Sequence, residues 1–397
     1  MKARLILLAL CMTTLPAMSQ TGIFEVNINS PQYFSVQVPD GNYRVTVTIG
    51  SKKRKAETVV RAESRRLMVE NATTLKGQFT DYSFVVNKRS PTYSITTDKG
   101  MIEERVKLKE REYEYLNWDD SLTLEFNGAA PAVSRIKIER DTTATTIFLC
   151  GNSTVVDQNS EPWASWGQMI PRWFDASVAI SNHAESGLTA RTFLGGNRLD
   201  KILTMMRPGD YVVCEFGHND EKEKRPGDGA WYHYVYNLKI FVDRVRQAGG
   251  HIIFCTPTQR RAWQEDNKHL KDTHGDFPAA MVSVAEREGV PVIDLNGMTR
   301  TFFETLGFED SKKALVHYPA NTYPNQEKAL ADNTHFNPYG AYEVAKMVVE
   351  GMQRLNLPFL TGLRSDWTGF DPSHPDDPST FRWYDAKVMD AKKPDGN

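Results

Sequence analysis

The chain has 397 residues, of which 40% are hydrophobic and 25% charged; a chain of this length and composition can bury more than one core and suggests two domains with appendages. Its formal net charge of -2 provides no basic surface of the kind that nucleic-acid binding requires, because phosphate contacts need clustered Lys and Arg. Nucleic acid is therefore excluded as a partner.

Residues 1–19 predict an export signal. Lys2 and Arg4 form a positive start, residues 5–10 an apolar stretch, and Ala17-Met18-Ser19 a cleavage site of small residues. An uncleaved anchor is the alternative, but the apolar run is too short to span a bilayer, so we expect no membrane insertion. The sequence thus predicts an exported protein, periplasmic or extracellular.

Three cysteines follow this segment, and each lies in or at the end of an apolar run. We expect Cys150, Cys214 and Cys255 to be free and buried, because a large core has no need of a disulfide framework. None has the paired spacing of a zinc site.

Residues 20–140 are predicted to contain strands and no helix. Hydrophobic and polar residues alternate at 33–38 and 43–49, and Pro39-Asp40-Gly41-Asn42 between them predicts a hairpin. More strands are predicted near 82–86, 121–126 and 133–138. We interpret the segment as an all-β jelly-roll or β-sandwich domain, which resembles the galactose-binding modules that accompany carbohydrate-active enzymes.

The pattern changes at residue 141, where short apolar runs begin to alternate with helical stretches. The runs lie at 147–150, 176–180, 211–216, 251–255 and 290–293, and the helical stretches at 165–174, 198–206, 234–248, 278–288 and 340–355. This alternation predicts an α/β domain over 141–360, in which helices cover both faces of a parallel sheet and ligands bind at the carboxyl ends of the strands. Residues 361–397 form a C-terminal extension that we expect to wrap back over one domain.

Ser153 is the candidate nucleophile. It lies in Gly151-Asn152-Ser153-Thr154, directly after the first apolar run of the α/β region. A hydroxyl at such a turn is presented outward with backbone N–H groups near it, as a nucleophile that generates an oxyanion requires. The alternative is that Ser153 and Thr154 cap the following turn.

His335 is the candidate base, and Asp332 is the candidate acid that orients it. If this segment forms one helical turn, residues three apart share a face, and the carboxylate can reach one ring nitrogen while the other points at Ser153. The alternative is that Asp332 or Asn333 caps a helix starting near Pro338, with His335 on its surface. The chain has 9 histidines, so position alone does not select this one.

Gly187 and Asn219 are the candidate oxyanion donors, together with the backbone N–H of Ser153. Gly187 has no side chain to keep a substrate away from its N–H, and Asn219 follows a predicted strand and offers a carboxamide N–H. A simple turn glycine and a polar loop residue are the alternatives.

These motifs resemble the conserved blocks of the SGNH (GDSL-like) hydrolases, whose four letters are matched by Ser153, Gly187, Asn219 and His335. The fuller phrases at 147–155, 182–187, 216–220 and 332–336 are similar to the rhamnogalacturonan acetylesterases of pectin breakdown. The resemblance covers residues 145–357. It implies a flavodoxin-like three-layer α/β/α fold, no metal or other cofactor, and removal of acetyl groups from a galacturonate-rich polysaccharide.

The chain departs from this family at Asn152, where the families usually have Asp. The family's Asp is structural and does not pair with the histidine. Asn keeps much of that hydrogen-bonding role without the charge, so we expect altered local electrostatics with catalysis retained.

Together these observations predict a secreted carbohydrate esterase that acts on acetylated plant cell-wall polysaccharide or oligosaccharide through Ser153, His335 and Asp332. A lipase-like or other small-ester hydrolase, and a catalytically decayed glycan-binding protein, are the alternatives. Trp163, Trp166 and Trp173 recur at helical spacing and are predicted to pack in the core. The residues that could contact a sugar are His183, Glu185, Arg191, His218, Trp231 and Trp263.

Overall fold

The computed structural model describes residues 22–395, so the predicted export signal lies outside the described residues. The strands are β1 (Gly22–Ile28), β2 (Gln32–Gln37), β3 (Gly41–Gly50), β4 (Ala56–Ala62), β5 (Arg66–Thr74), β6 (Phe79–Lys88), β7 (Thr92–Thr97), β8 (Gly100–Arg105), β9 (Ser121–Ala130), β10 (Val133–Asp141), β11 (Thr145–Gly151), β12 (Val178–Asn182), β13 (Tyr211–Glu215), β14 (His251–Cys255), β15 (Val292–Ile293), β16 (Leu315–Tyr318) and β17 (Leu330–Phe336). The α-helices are α1 (Trp166–Met169), α2 (Ala190–Gly195), α3 (Arg198–Met205), α4 (Val235–Gln247), α5 (Phe277–Glu288), α6 (Leu295–Asp310) and α7 (Pro338–Arg354). Short 3-10 or π-helical turns occupy Glu110–Glu114, Leu116–Trp118, Ile170–Trp173, Asp220–Lys222, Ala230–Tyr234, Ser311–Ala314 and Pro358–Gly362.

The predicted apolar runs form a parallel sheet in the order β12-β11-β13-β14-β15. In this register Cys150 pairs with Cys214, and Glu215 pairs with Cys255. The three cysteines are free and buried, as predicted. Because the strands are parallel and in step, the loops that follow β11, β12 and β13 meet at one edge of the sheet.

Helices cover both faces of this sheet, as predicted. Along β11 the side chains of Ile147 and Leu149 pack into a core shared with α1, α6 and α7. Those of Phe148 and Cys150 point the opposite way, into a core shared with α2, α3, α4 and α5. Successive side chains of a strand point to opposite faces, so a strand buried on both sides must be apolar throughout. Trp166 and Trp173 lie in the first core, as predicted, whereas Trp163 is buried outside it, where its ring packs against His335.

The first part of the chain is antiparallel. Strands β1, β10, β3 and β6 lie side by side in that order, and β2, β9, β4 and β5 form a separate four-stranded sheet. The hairpin predicted around residues 39–42 is wrong, because the turn there carries the chain from one sheet to the other: β2 pairs with β9, and β3 pairs with β10 and β6. The alternating hydrophobic residues of both sheets share one core, in which Tyr43, Val45, Phe84, Leu124 and Phe126 are almost fully buried. Strands β7 and β8 form a separate hairpin.

The two parts of the chain are joined through hydrogen bonds between strands. Residues Val85 and Val86 of β6 pair in parallel with Ala179 and Ile180 of β12. The antiparallel strands and the parallel strands therefore form a single nine-stranded sheet. Among residues 22–395, no helix combines the length and the apolar character that crossing a membrane requires.

The C-terminal extension wraps back over the molecule. Its aromatic residues Trp367, Phe381, Trp383 and Tyr384 pack against the core that α7 shares with the sheet. The guanidinium of Arg61, from β4, lies 3.9 Å from the centre of the Trp383 ring. This cation–π contact ties the extension to the antiparallel strands.

Candidate active site

A chain of two hydrogen bonds joins Ser153, His335 and Asp332. The Oγ of Ser153 lies 3.0 Å from Nε2 of His335, across 182 residues of sequence, and Nδ1 of His335 lies 2.9 Å from Oδ2 of Asp332. The three residues are 4%, 1% and 4% exposed, respectively. The structure thus brings together the serine, the histidine and the carboxylate that the sequence predicts as a group.

Ser153 lies in a tight turn directly after β11. The Oδ1 of Asn152 accepts hydrogen bonds from the backbone N–H (3.1 Å) and the hydroxyl (2.9 Å) of Thr154. The carbonyl of Ser153 accepts from the Ser165 hydroxyl at 2.6 Å. At Gly151 any Cβ would lie 2.9 Å from the carbonyl oxygen of Glu215, so a larger residue would push β11 away from β13. These contacts fix the backbone that carries the serine hydroxyl.

Asp332 and His335 lie on β17, so the helical turn considered for this segment is wrong. Their side chains meet because Oδ1 of Asp332 accepts the backbone N–H groups of Thr334 (2.8 Å) and His335 (2.9 Å), which curls the chain locally. Burial alone would raise the pKa of Asp332, but the hydrogen bonds and the charge of His335 outweigh it and lower that pKa strongly.

An ionised carboxylate can only accept, so Nδ1 of His335 carries the proton of the shared hydrogen bond. Its Nε2 is then the acceptor that faces the hydroxyl of Ser153. The indole of Trp163 packs edge-on against the imidazole, with 5.6 Å between ring centres. The arrangement can therefore accept the proton of Ser153 when the hydroxyl attacks.

Gly187 lies in the loop after β12, beside the turn that carries Ser153. Gln158 links the two loops, since its Nε2 lies 3.0 Å from the Ser153 carbonyl oxygen and 3.5 Å from the Ser186 hydroxyl. The φ angle of Gly187 is +78°, a left-handed conformation that glycine adopts without strain.

Asn219 lies in the loop after β13 and is tied to the Gly187 loop. Its Nδ2 donates to the carbonyl oxygen of Leu188 at 3.1 Å, and its Oδ1 accepts from Nζ of Lys222 at 3.2 Å. A carboxamide nitrogen carries two hydrogens, so the bond to Leu188 leaves Asn219 a second donor. Asp220 accepts the N–H groups of Ala190 and Gly217, which holds the two loops together, and burial raises its pKa to about 7.

Glu215 is a residue of the candidate site that the sequence pattern did not single out. Its Oε1 accepts from the Thr154 hydroxyl (2.8 Å) and the Thr258 N–H (3.2 Å), and its Oε2 accepts from the Trp166 indole at 2.5 Å. It braces the nucleophile turn from the neighbouring strand. The sequence feature that could have identified Glu215 is a carboxylate within an otherwise apolar strand that is buried on both faces.

The residues considered for sugar contact lie in different environments. His183 is completely buried and bonded to Ser181, and burial together with nearby Arg89 holds its pKa well below the usual value. Trp263 packs in the core. Arg191 forms an ion pair with Asp228. These three have structural roles.

Glu185 and His218 lie in the loops that carry Gly187 and Asn219, and both are buried. Glu185 forms an ion pair with Arg111, and burial together with Glu112 raises its pKa to about 7. Nε2 of His218 lies 3.1 Å from the Thr258 hydroxyl, and burial holds its pKa well below the usual value. Both side chains stabilise these loops from the interior of the protein.

A pocket of about 940 Å³ adjoins the loop that carries Asn219. Its lining includes Lys222 and Lys224 together with the aromatic residues Trp231 and Tyr232, which are 49% and 70% exposed. Glu221 and Asp276 also line the pocket, so its charge is mixed, and its exposed aromatic faces are suited to packing against sugar rings. Of the residues considered for sugar contact, Trp231 is the one whose ring faces solvent.

Glu223, Asp228 and His233 place their ligand atoms within 4.8 Å of one another, as a metal site would require. Two guanidinium groups already neutralise this cluster. Arg191 pairs with Asp228, and Arg225 lies 2.9 Å from Glu223. We therefore interpret the cluster as an ion-pair network.

Comparison with known proteins adds to this geometry. A model of the GDSL-like lipase/acylhydrolase family matches residues 149–341. Rhamnogalacturonan acetylesterase RhgT of Bacillus subtilis (strain 168) is 39% identical over 221 residues, which make up 55% of this chain and 94% of that protein. A rhamnogalacturonan acetylesterase of Emericella nidulans is 28% identical over 235 residues, 54% of this chain and 87% of that protein. The crystal structure of Bacillus subtilis YxiM is similar over 82% of this chain and 81% of that chain, with 26% identity and a TM-score of 0.49.

Proposed function

We propose that this chain, which belongs to the GDSL-like lipase/acylhydrolase family, removes acetyl groups from an acetylated pectic polysaccharide of the rhamnogalacturonan type. Its membership of this family and its acetylesterase relatives make it a serine carboxylesterase. The observation that carries the proposal is the hydrogen-bonded chain from Ser153 through His335 to Asp332.

In the proposed mechanism, Oγ of Ser153 attacks the carbonyl carbon of the acetyl ester while Nε2 of His335 takes the hydroxyl proton. The negative charge that Asp332 keeps stabilises the imidazolium ion that forms. As the tetrahedral intermediate collapses, the bond to the sugar oxygen breaks and His335 returns its proton to that oxygen. Water then attacks the acetyl-enzyme in the same way, which releases acetate and restores the serine hydroxyl.

The oxyanion of each tetrahedral intermediate would be held by the backbone N–H groups of Ser153 and Gly187 and by the carboxamide of Asn219. Three donors fixed in position suit a charge that develops only during the reaction, because they need no reorganisation when it forms. The hydrogen bonds that tie Asn219 to Leu188 and Lys222 support this role, since they restrict the side chain to one orientation.

The proposed substrate rests on the relatives and on the surface around the site. RhgT and its Emericella nidulans counterpart are named for rhamnogalacturonan deacetylation. The pocket beside Asn219, with its exposed aromatic rings, supports a carbohydrate substrate. We further propose that residues 20–140 are a β-sandwich of the galactose-binding kind that braces the catalytic part, and that the protein is exported after cleavage near residue 19.

The test is acetate release from a panel of acetylated polysaccharides, with rhamnogalacturonan, homogalacturonan and xylan as members. We expect release from the rhamnogalacturonan sample to be fastest. Ser153→Ala should abolish it, whereas Ser94→Ala, on the exposed surface of β7, should leave it unchanged. Faster hydrolysis of longer acyl esters than of any acetylated glycan would favour a lipase-like enzyme. Binding of the glycan with no turnover in the unaltered protein would favour a decayed glycan-binding protein.

A further inference from the structure

The end of the C-terminal extension runs along the candidate active site. The backbone of Glu161, in the loop after the nucleophile turn, exchanges two hydrogen bonds with the extension: its N–H donates to the Val388 carbonyl and its carbonyl accepts from the Asp390 N–H, each at 3.0 Å. The indole N–H of Trp163, which packs against His335, donates to the Asp390 carbonyl at 2.9 Å.

The last described residues of the extension lie on both sides of the catalytic group. Nζ of Lys393 is 3.3 Å from Oδ2 of Asp332. Oδ2 of Asp395 lies 3.1 Å from Nζ of Lys109 and 2.8 Å from Nη1 of Arg111. The side chain of Asp395 also touches Gly187, since a Cβ built on that glycine would lie 2.9 Å from the Asp395 Cβ. A carboxylate is therefore held directly beside a proposed oxyanion donor.

The two cations that hold this carboxylate are themselves fixed by the loop after β12. Nζ of Lys109 donates to the Ser186 carbonyl at 2.6 Å, and Nε of Arg111 donates to Oε1 of Glu185 at 3.0 Å. Their side chains are each 31% exposed, whereas that of Asp395 is 53% exposed. Lys109 and Arg111 are thus held in place by the loop after β12, and Asp395 is the most exposed of the three side chains.

Without Asp395, the charged side chains around Lys109 and Arg111 carry one more positive charge than negative charges. Arg111 is balanced by Glu185, and the neighbouring Glu112 is balanced by Arg198 at 2.5 Å. The charge of Lys109 is then matched by Asp395. Exposed ion pairs contribute little net stability, so another carboxylate can replace that of Asp395 without disturbing the fold.

We propose that Lys109 and Arg111 form a subsite for the carboxylate of a uronic acid residue of the substrate, and that Asp395 occupies this subsite when substrate is absent. The inference rests on the proposed function, which supplies a galacturonate-containing polymer. A uronate bound at this place would lie beside Gly187, a proposed oxyanion donor for an ester at Ser153. The end of the extension would then be a competitor built into the chain, which substrate displaces.

The test compares acidic and neutral substrates with the full-length protein. Lys109→Gln should raise KM for acetylated galacturonate oligosaccharides roughly tenfold, because a charge-assisted hydrogen bond is lost, and leave KM for acetylated xylo-oligosaccharides unchanged. Asp395→Asn should lower KM for the acidic substrate severalfold with kcat unchanged. Lys107→Gln and Lys392→Gln are matched controls on the same two segments, because both side chains are exposed and lie outside the cluster. Equal KM changes for acidic and neutral substrates, or no change for either variant, would overturn the proposal.

A second measurement separates this inference from the proposed function. De-esterified oligogalacturonate should inhibit hydrolysis of 4-nitrophenyl acetate competitively, more strongly in Asp395→Asn and more weakly in Lys109→Gln. If this inhibition pattern is observed but acetylated pectin yields no acetate, the proposed uronate subsite is supported and the proposed pectic substrate is refuted. If acetylated pectin is deacetylated but oligogalacturonate inhibits all variants equally, the function stands and the subsite is refuted.

Discussion

Replacing Asp332 with Asn tests the proposed catalytic role of the carboxylate without removing its turn. Oδ1 accepts two backbone N–H groups, and Oδ2 accepts the proton of His335 Nδ1. In the Asp332→Asn variant the carboxamide oxygen has to stay on the two N–H groups, so the NH₂ group faces Nδ1. That contact requires Nδ1 to lose its hydrogen, which moves the ring proton to Nε2, opposite Ser153. An imidazole protonated there cannot accept the serine proton.

The hydrogen bonds to the backbone and to His335 are exchanged rather than lost, and the lost ion pair with the exposed Lys393 side chain contributes little, so we expect a thermal midpoint close to that of the unaltered protein. The wrong tautomer should lower kcat by about 10³ to 10⁴-fold, which corresponds to about 4 to 5.5 kcal/mol of activation free energy. Hydrolysis of 4-nitrophenyl acetate measures kcat, and a thermal melt measures stability.

The chain contains a matched control for this variant. Asp266 and His269 repeat the same local geometry, with Oδ1 accepting the N–H of His269 at 3.1 Å and Oδ2 lying 2.6 Å from Nδ1 of His269, but both are exposed. Asp266→Asn should leave kcat unchanged. A loss of less than tenfold in Asp332→Asn, or an equal loss in both variants, would show that Asp332 does not orient the base.

Three further outcomes are expected. Asn219→Ala should lower kcat by about 10² to 10³-fold with little change in KM for an acetyl ester, because one proposed oxyanion donor is removed; a change confined to KM would contradict this. Burial raises the pKa of Glu63 from 4.5 to about 8, so the folded state keeps a proton that the unfolded state releases, and stability falls as pH rises between these values. Glu63→Gln removes that dependence. The free energy of unfolding of the variant minus that of the unaltered protein should therefore rise by about 1.4 kcal/mol per pH unit in this window. Urea unfolding at pH 5 and pH 7 would measure this difference, and parallel pH dependences of the two proteins would refute it. A chain starting at Asp141 should be insoluble, because β12 loses its pairing with β6, and recovery of a soluble, active fragment would refute this.

The members of the candidate site could be predicted from sequence because their order along the chain matched a family pattern. Local sequence alone could not have selected His335. The Asp-x-x-His spacing also occurs at Asp266 to His269 and at Asp371 to His374, and in all three places the carboxylate contacts Nδ1 of the histidine. Which imidazole faces a serine is set by the tertiary fold, because Ser153 and His335 are 182 residues apart in the sequence.

The buried strands were predictable because side chains on both faces of a parallel sheet must be apolar. Helix α6 was missed, since Gly297 and Gly307 interrupt a segment whose buried residues nevertheless follow helical spacing. The continuity of the sheet was not predictable either. Strands β6 and β12 meet through two residue pairs, and nothing in either strand's own pattern specifies that neighbour.

Residues outside the family match supply the charges that the active-site loops need. The match spans residues 149–341, yet Asp157 pairs with Arg66 at 2.8 Å, and Glu161 and Glu185 pair with Arg65 and Arg111. Each of these carboxylates is at most 2% exposed, and a buried charge without a partner costs several kcal/mol. The antiparallel strands and the segment after them therefore complete the site electrostatically. Because the same segment presents Lys109, the proposed subsite would let a region outside the Ser153, His335 and Asp332 group influence which esters reach it.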